Sequence, residues 1–226
     1  MTFRSLRPES VHGRQAEARR NDLVVLEAAR DVFSALGADA PVSAVADRAG
    51  VGIGTLYRRY GSKAELLQRL CVLAMEQAVA AADDALGADD PWTGLAGYVR
   101  ACVELRSGAL AALAGQIETT AQMHAVARRS MTRLAEIVAR AHRDGSLRPD
   151  VTALDVTWLI EQFSRRSLDL LDPAEARNVR SRLVAIALDG LRAGPDRTRP
   201  DRTGPEQALP GRSPSRSHYV NRWSPT

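Results

Sequence analysis

Residues 42–67, VSAVADRAGVGIGTLYRRYGSKAELL, constrain this chain more than any other stretch. Val42, Val45, Ala46 and Ala49 recur at spacings of three and four, which gives a short helix one apolar face. Gly50-Val51-Gly52 breaks the pattern, and a turn between two packed helices needs a residue free to adopt positive φ. Helical spacing resumes from Ile53 to Tyr60, with Ile53, Leu56 and Tyr60 expected on the core side. At about 100° per residue, Gly54 and Arg58 fall opposite that face, and Thr55, Tyr57 and Arg59 fall on its flanks. Two arginines, a hydroxyl, a phenol and a position without a side chain suit a helix that enters a DNA groove. The pattern is that of a helix-turn-helix.

The next residues add to it. Ser62-Lys63-Ala64-Glu65 has the spacing of a capping box at the start of another helix. Its unpaired amides, with Lys63 beside them, suit a phosphate. AGVGIGTLYRRYGSKAELL resembles the DNA-binding domain of TetR-type transcriptional regulators, whose turn and recognition helix run AGVS-x-GTLYRHF-x-SKE-x-L. The likeness extends over roughly residues 17–70. It implies an all-α protein: a three-helix DNA-binding head joined to a larger helical domain that binds a small molecule and dimerises. The DNA-binding candidates are Arg14, Arg19, Arg20, Ser43, Gly52, Gly54, Thr55, Tyr57, Arg58, Arg59, Tyr60 and Lys63. Thr55, Tyr57 and Arg58 are the foremost groove candidates, and Arg58 has the geometry to fork onto a guanine edge. The resemblance instead assigns Tyr57, with Lys63, to phosphates, while Arg59 is left open between base, phosphate and solvent. Two positions depart from the family: Pro41 replaces a threonine or serine, and Gly52 replaces a serine. Pro41 suits the first turn of a helix, with Asp39 or Ser43 left to supply capping.

Whole-chain quantities narrow the alternatives. With 226 residues, 45% of them hydrophobic, one or two domains can bury a core. A formal net charge of +4 is no coat of charge, so nucleic-acid contact has to come from local clustering. Two cysteines are too few for a disulfide framework, and no zinc-type spacing occurs. His124 and His142 have no acidic or thiol partner at ligand spacing, so neither a metal nor a cofactor is expected. There is no apolar run of 18 residues and no signal peptide, which points to a cytoplasmic protein with no membrane partner. An enzyme is disfavoured: the four histidines are scattered, and Gly52-Ile53-Gly54 follows a helix rather than a strand.

In chain order, residues 1–14 are polar, broken by Pro8 and Gly13, and read as a mobile basic arm with Arg4, Arg7 and Arg14. Residues 15–67 form the DNA-binding domain, opened by a helix from Gln15 to Leu36. Residues 68–193 form the helical effector and dimerisation domain. Its expected helices are 62–86, one opened by Pro91, a short apolar one over 109–118, then 120–143, 153–171 and 173–192. Residues 194–226 hold six of eleven prolines and read as a disordered tail.

The apolar faces over 153–192 could cover their own core or pair with a second copy; the resemblance implies a homodimer. Pocket candidates are the larger or polar side chains Trp92, Tyr98, Cys102, Met123, His124, Trp158 and Phe163, for a mostly apolar effector. The function expected is a sequence-specific regulator, a repressor released from a near-palindromic operator by a small molecule. The alternative is a nucleoid-type helical protein that binds DNA without sequence preference.

Overall fold

The computed structural model describes residues 9–113, 116–164, 172–193, 209–210 and 213–215, and every regular element among them is helical. The chain divides into two units, Met1–Leu70 and Cys71–Thr226, with the division inside the fourth helix.

The first unit holds α1 (Glu9–Leu36), α2 (Val42–Ala49), α3 (Ile53–Tyr60) and the opening turns of α4 (Lys63–Leu86). Helix α1 begins six residues before the expected Gln15, so residues 9–14 are helix rather than arm. Gly13 costs a helix only about 1 kcal/mol against alanine, and its neighbours Arg14, Gln15, Ala16 and Glu17 are all good helix formers. Residues 1–8, with Arg4 and Arg7, lie outside the described residues. Val25, Leu26, Ala29 and Phe33 of α1 are buried, as are Val45 of α2, Leu56 of α3, and Leu66 and Leu70 of α4. Helix α1 packs on α2, and α2 on α3.

In the second unit, helix starts follow from their caps. Asp90 accepts the Thr93 amide at 2.7 Å ahead of Pro91, and α5 spans Pro91–Glu104. Thr120 accepts the Met123 amide at 3.2 Å, opening α6 (Ala121–Arg143). Helix α7 spans Ala153–Ser164, and Asp172 caps α8 (Pro173–Leu191) through the Ala174 amide at 2.8 Å. Helix α5 packs on α6, α7 and α8. Leu95 and Val99 of α5, Leu134 and Ile137 of α6, Val156 of α7, and Val184 and Leu188 of α8 share one buried core. Helix α5 also lies so near α4 that a Cβ on Gly94 would stand 2.4 Å from the Ala85 carbonyl oxygen.

The short helix expected over 109–118 is instead a 3₁₀ turn at Ser107–Leu113. Arg106 takes φ 52° and ends the α5 trajectory, and the Gly108 amide is drawn to the Ser164 hydroxyl at 3.3 Å. Helix α7 reaches Ser164, and the rest of the expected 153–171 helix lies outside the described residues. Leu147 and Arg192 form an antiparallel bridge that ties the α6–α7 connection to the end of α8. Beside it Arg148 holds Asp150 with Nε at 2.9 Å and Nη2 at 2.7 Å, and the Leu209 amide adds a bond at 2.8 Å. The Arg148 hydrogen bonds pull the Asp150 carboxyl down to about 2. Burial pushes the thiols of Cys71 and Cys102 up to about 12 and about 11. No helix among the described residues is long and apolar enough to cross a membrane.

Candidate nucleic-acid interface

The turn between α2 and α3 depends on Gly50, at φ 67°, which lets the Val51 amide reach back to the Ala46 carbonyl at 3.0 Å. Pro41 stands at the start of α2 with no side-chain hydrogen bond, so neither Asp39 nor Ser43 caps it; Ser43 is exposed. Gly52 opens α3 with its carbonyl accepting the Thr55 amide at 2.8 Å. Leu56 and Tyr60 turn into the core, while Gly54, Thr55, Tyr57 and Arg58 remain exposed. Arg58 Nη2 donates to the Thr55 hydroxyl at 3.2 Å, which places a guanidinium and a hydroxyl together on the outer surface.

Three side chains depart from the expectations. Ile53, expected on the core side with Leu56 and Tyr60, is 46% exposed, because a first-turn residue has no earlier turn to lie against. Tyr60, named among the DNA-binding candidates, is 8% exposed, and its phenol donates to Asp22 Oδ1 on α1. Burial, then the Asp22 carboxylate, raises the pKa of Tyr60 well above its ordinary value, so it stays a neutral anchor of α3 on α1. Arg59 also turns to Asp22, its Nε 2.8 Å from the same oxygen. Asp22 is the residue that sequence reasoning missed. Its only local signal is an acid following Arg19, Arg20 and Asn21.

The connection into α4 is a γ-turn at Gly61, φ 68° and ψ −53°, with the Ser62 amide donating to the Tyr60 carbonyl at 2.6 Å. A Cβ on Gly61 would stand 2.8 Å from the Glu65 carboxylate. The Glu65 amide donates to Ser62 Oγ at 3.1 Å, and the Ser62 hydroxyl faces Glu65 Oε1 at 3.4 Å; the Ser62 amide is taken by the turn, so half of the capping box forms. Lys63 stands at this helix start with its ammonium 5.9 Å from the Phe33 ring centroid. Arg20 is exposed on α1; Arg14 and Arg19 belong to α1, with side chains outside the described residues.

In the second unit an open cleft of about 500 Å³ runs between α4 and α5, lined by Gln77, Ala81, Asp84, Gly97, Tyr98 and Leu105 among others. Of the seven pocket candidates only Tyr98 lines it. Cys102 is buried in the core, and Phe163 and Trp92 pack against that core, with the Arg192 guanidinium 5.4 Å from the Trp92 ring. Met123 is buried, Trp158 is partly buried, and His124 is exposed beside the Thr119 hydroxyl at 3.0 Å. The structure does not bring the seven together.

Two short helices joined at a left-handed glycine, the second with one face anchored and the other bare, define a helix-turn-helix DNA-binding protein. Residues 25–70 match the model for bacterial regulatory proteins of the tetR family, and residues 90–193 match the C-terminal domain of SbtR-like transcriptional regulators. A TetR transcription regulatory protein from Mycobacterium vanbaalenii is 30% identical, with a TM-score of 0.55 over 79% of this chain and 98% of that one. TetR regulators from Streptomyces coelicolor and Thermus thermophilus share the fold, each at 24% identity and a TM-score of 0.54. They cover 76% and 73% of this chain, and 98% and 97% of their own. No curated protein matches significantly. The chain belongs to the TetR family of DNA-binding transcriptional regulators.

Proposed function

We propose that the chain is a repressor that binds a near-palindromic operator as a homodimer and leaves it when a small molecule occupies the helical domain. The observation that carries this is α3: Leu56 and Tyr60 fix it to the core, while Gly54, Thr55, Tyr57 and Arg58 stay exposed. Thr55 and Arg58 address base edges, Tyr57 and Lys63 hold phosphates, and Ser43, Gly52 and Arg20 border the contact. Arg14 and Arg19 extend the basic surface along α1. The head runs from α1 at Glu9 to residue 67, the effector and dimerisation domain spans 68–193, and the protein works in the cytoplasm.

Dimerisation through residues 153–192 is supported by α8, which is apolar on two sides. Val184, Leu188 and Leu191 are buried, whereas Leu183 and Ile186 are 41% and 58% exposed on another face. Two-fold pairing sets two heads on half-sites one or more helical turns apart. The α4–α5 cleft, lined mostly by alanine and glycine with Tyr98 and Gln77 among its walls, fits a mostly apolar effector.

Binding to short duplexes from the DNA flanking its own gene, by gel shift with random duplex as competitor, tests the proposal. One near-palindromic site bound as a dimer, with random DNA a poor competitor, is the expected result. Equal competition by random DNA would refute sequence-specific regulation.

A further inference from the structure

Ile53 is the first residue of α3 and a half-exposed branched apolar side chain. A helical Cβ leans toward the helix start, so this side chain projects from the leading end of α3. Its neighbours Gly52 and Gly54 have no side chain to cover it, and the space at each is open: a Cβ at Gly54 would meet nothing within 4 Å beyond its chain neighbours, and one at Gly52 only the Thr55 hydroxyl at 3.9 Å. Tyr57, four residues on and therefore on the same side of the helix, is 47% exposed. Ile53 thus stands at the N-terminal end of α3, the end whose residues meet base edges, with Tyr57 toward the flanking backbone. Among the base edges of the major groove, the apolar group is the C5-methyl of thymine.

We infer that Ile53 is a specificity-determining residue that packs on a thymine C5-methyl in each half-site. The inference rests on the proposed operator binding through α3. Ile53 and Arg58 lie about 140° apart around the helix, so the two address different base pairs. Water around the methyl and around the isoleucine is released together, a gain that cytosine, adenine or guanine at that position does not supply.

The test begins with an operator selected by the full-length chain from random duplexes. Each thymine is then replaced by uracil, which removes the methyl and keeps the hydrogen-bonding edge. Affinities are measured by fluorescence anisotropy for the wild type and for Ile53→Ala, a substitution at an exposed position that leaves the core intact. One thymine per half-site is expected to weaken wild-type binding about four-fold when replaced, and about fifteen-fold when both half-sites carry uracil. Ile53→Ala is expected to bind the thymine and uracil operators equally. A scan with no such position, or a loss that persists undiminished in Ile53→Ala, overturns the inference and leaves operator binding standing. Failure to select any sequence overturns both.

Discussion

Gly94 and Gly97 stand three residues apart on α5, and an alanine at each separates helix propensity from close packing. In the interior of a helix, glycine to alanine favours folding by about 0.5 to 1 kcal/mol. At Gly97 the new Cβ meets nothing within 4 Å, so the gain is expected in full. At Gly94 it would sit 2.4 Å from the Ala85 carbonyl oxygen and 3.3 Å from the carbonyl carbon. Carbon and oxygen approach comfortably at about 3.3 Å, so α4 and α5 have to part by about 0.9 Å. The obstacle is backbone, with no flexible side-chain end to move aside. Overpacking of this kind costs about 1–3 kcal/mol, and with α5 central to its core the upper end applies. Net of propensity, Gly94→Ala is expected to destabilise by about 2 kcal/mol, lowering the melting temperature by about 4–8 °C. Gly97→Ala is expected to raise it by about 2 °C. Thermal and urea unfolding of the two full-length variants, followed by circular dichroism at 222 nm, measures both. Equal stability of the two variants would refute a backbone-to-backbone contact between α4 and α5.

On a selected operator, Arg58→Ala is expected to flatten base preference at one position per half-site, at a cost of about 1–3 kcal/mol. Lys63→Ala should instead weaken operator and random duplex alike and reduce the salt slope by about 1; identical behaviour of the two variants would refute their division of labour. Tyr60→Phe removes the phenol that bonds Asp22 and is expected to cost about 1–2 kcal/mol in urea unfolding, with no loss counting against that bond. Asp150 has a folded pKa of about 2, below the ordinary carboxylate value near 4. Its contribution is therefore complete above about pH 4 and vanishes as pH falls through 2. Asp150→Asn should cost about 1–2 kcal/mol at pH 7, allowing for solvent screening, and progressively less in acid; a pH-independent difference would contradict the ion pair. With burial holding their thiols near 12 and 11, Cys71 and Cys102 should resist a thiol reagent at pH 8 in the folded protein and react in denaturant. Fast labelling of the folded chain would show that these thiols are not buried.

Several helix starts were readable from short-range chemistry, though that of α1 was not. Pro91, residue 120 and Pro173 each mark a start that the structure keeps, and it adds the capping side chains of Asp90, Thr120 and Asp172. Ser62 does the same through one bond of its box. Periodicity also placed Leu56 and Tyr60 inward, yet it failed at Ile53, because a repeat of 3.6 gives a direction and not whether a neighbouring element lies there. The fates of Arg59 and Tyr60 were hidden for a different reason: Asp22 is 37 and 38 residues away, and no local pattern joins them. The 3₁₀ turn at Ser107–Leu113 follows from a positive φ at Arg106 and a bond to Ser164, neither of which has a sequence signature. The cleft between α4 and α5 escapes a search among large side chains. Open space is made where side chains are small, and alanines and glycines announce nothing individually.

The Asp22 carboxylate also bears on how the head behaves on the wrong DNA. Every cation that meets a phosphate displaces condensed counterions and adds about 0.9 to the steepness with which binding falls with salt, whatever the sequence. Arg59 is paired with Asp22 at 2.8 Å, and on the proposed DNA binding that pairing holds it back from a sequence-blind phosphate contact. Thr55 and Arg58 keep their positions on the outer face. A genome offers on the order of a million or more competing sites, so one charge fewer per head shortens each pause on a random stretch. On the proposed operator binding through α3, a carboxylate on α1 thereby speeds the search for the site.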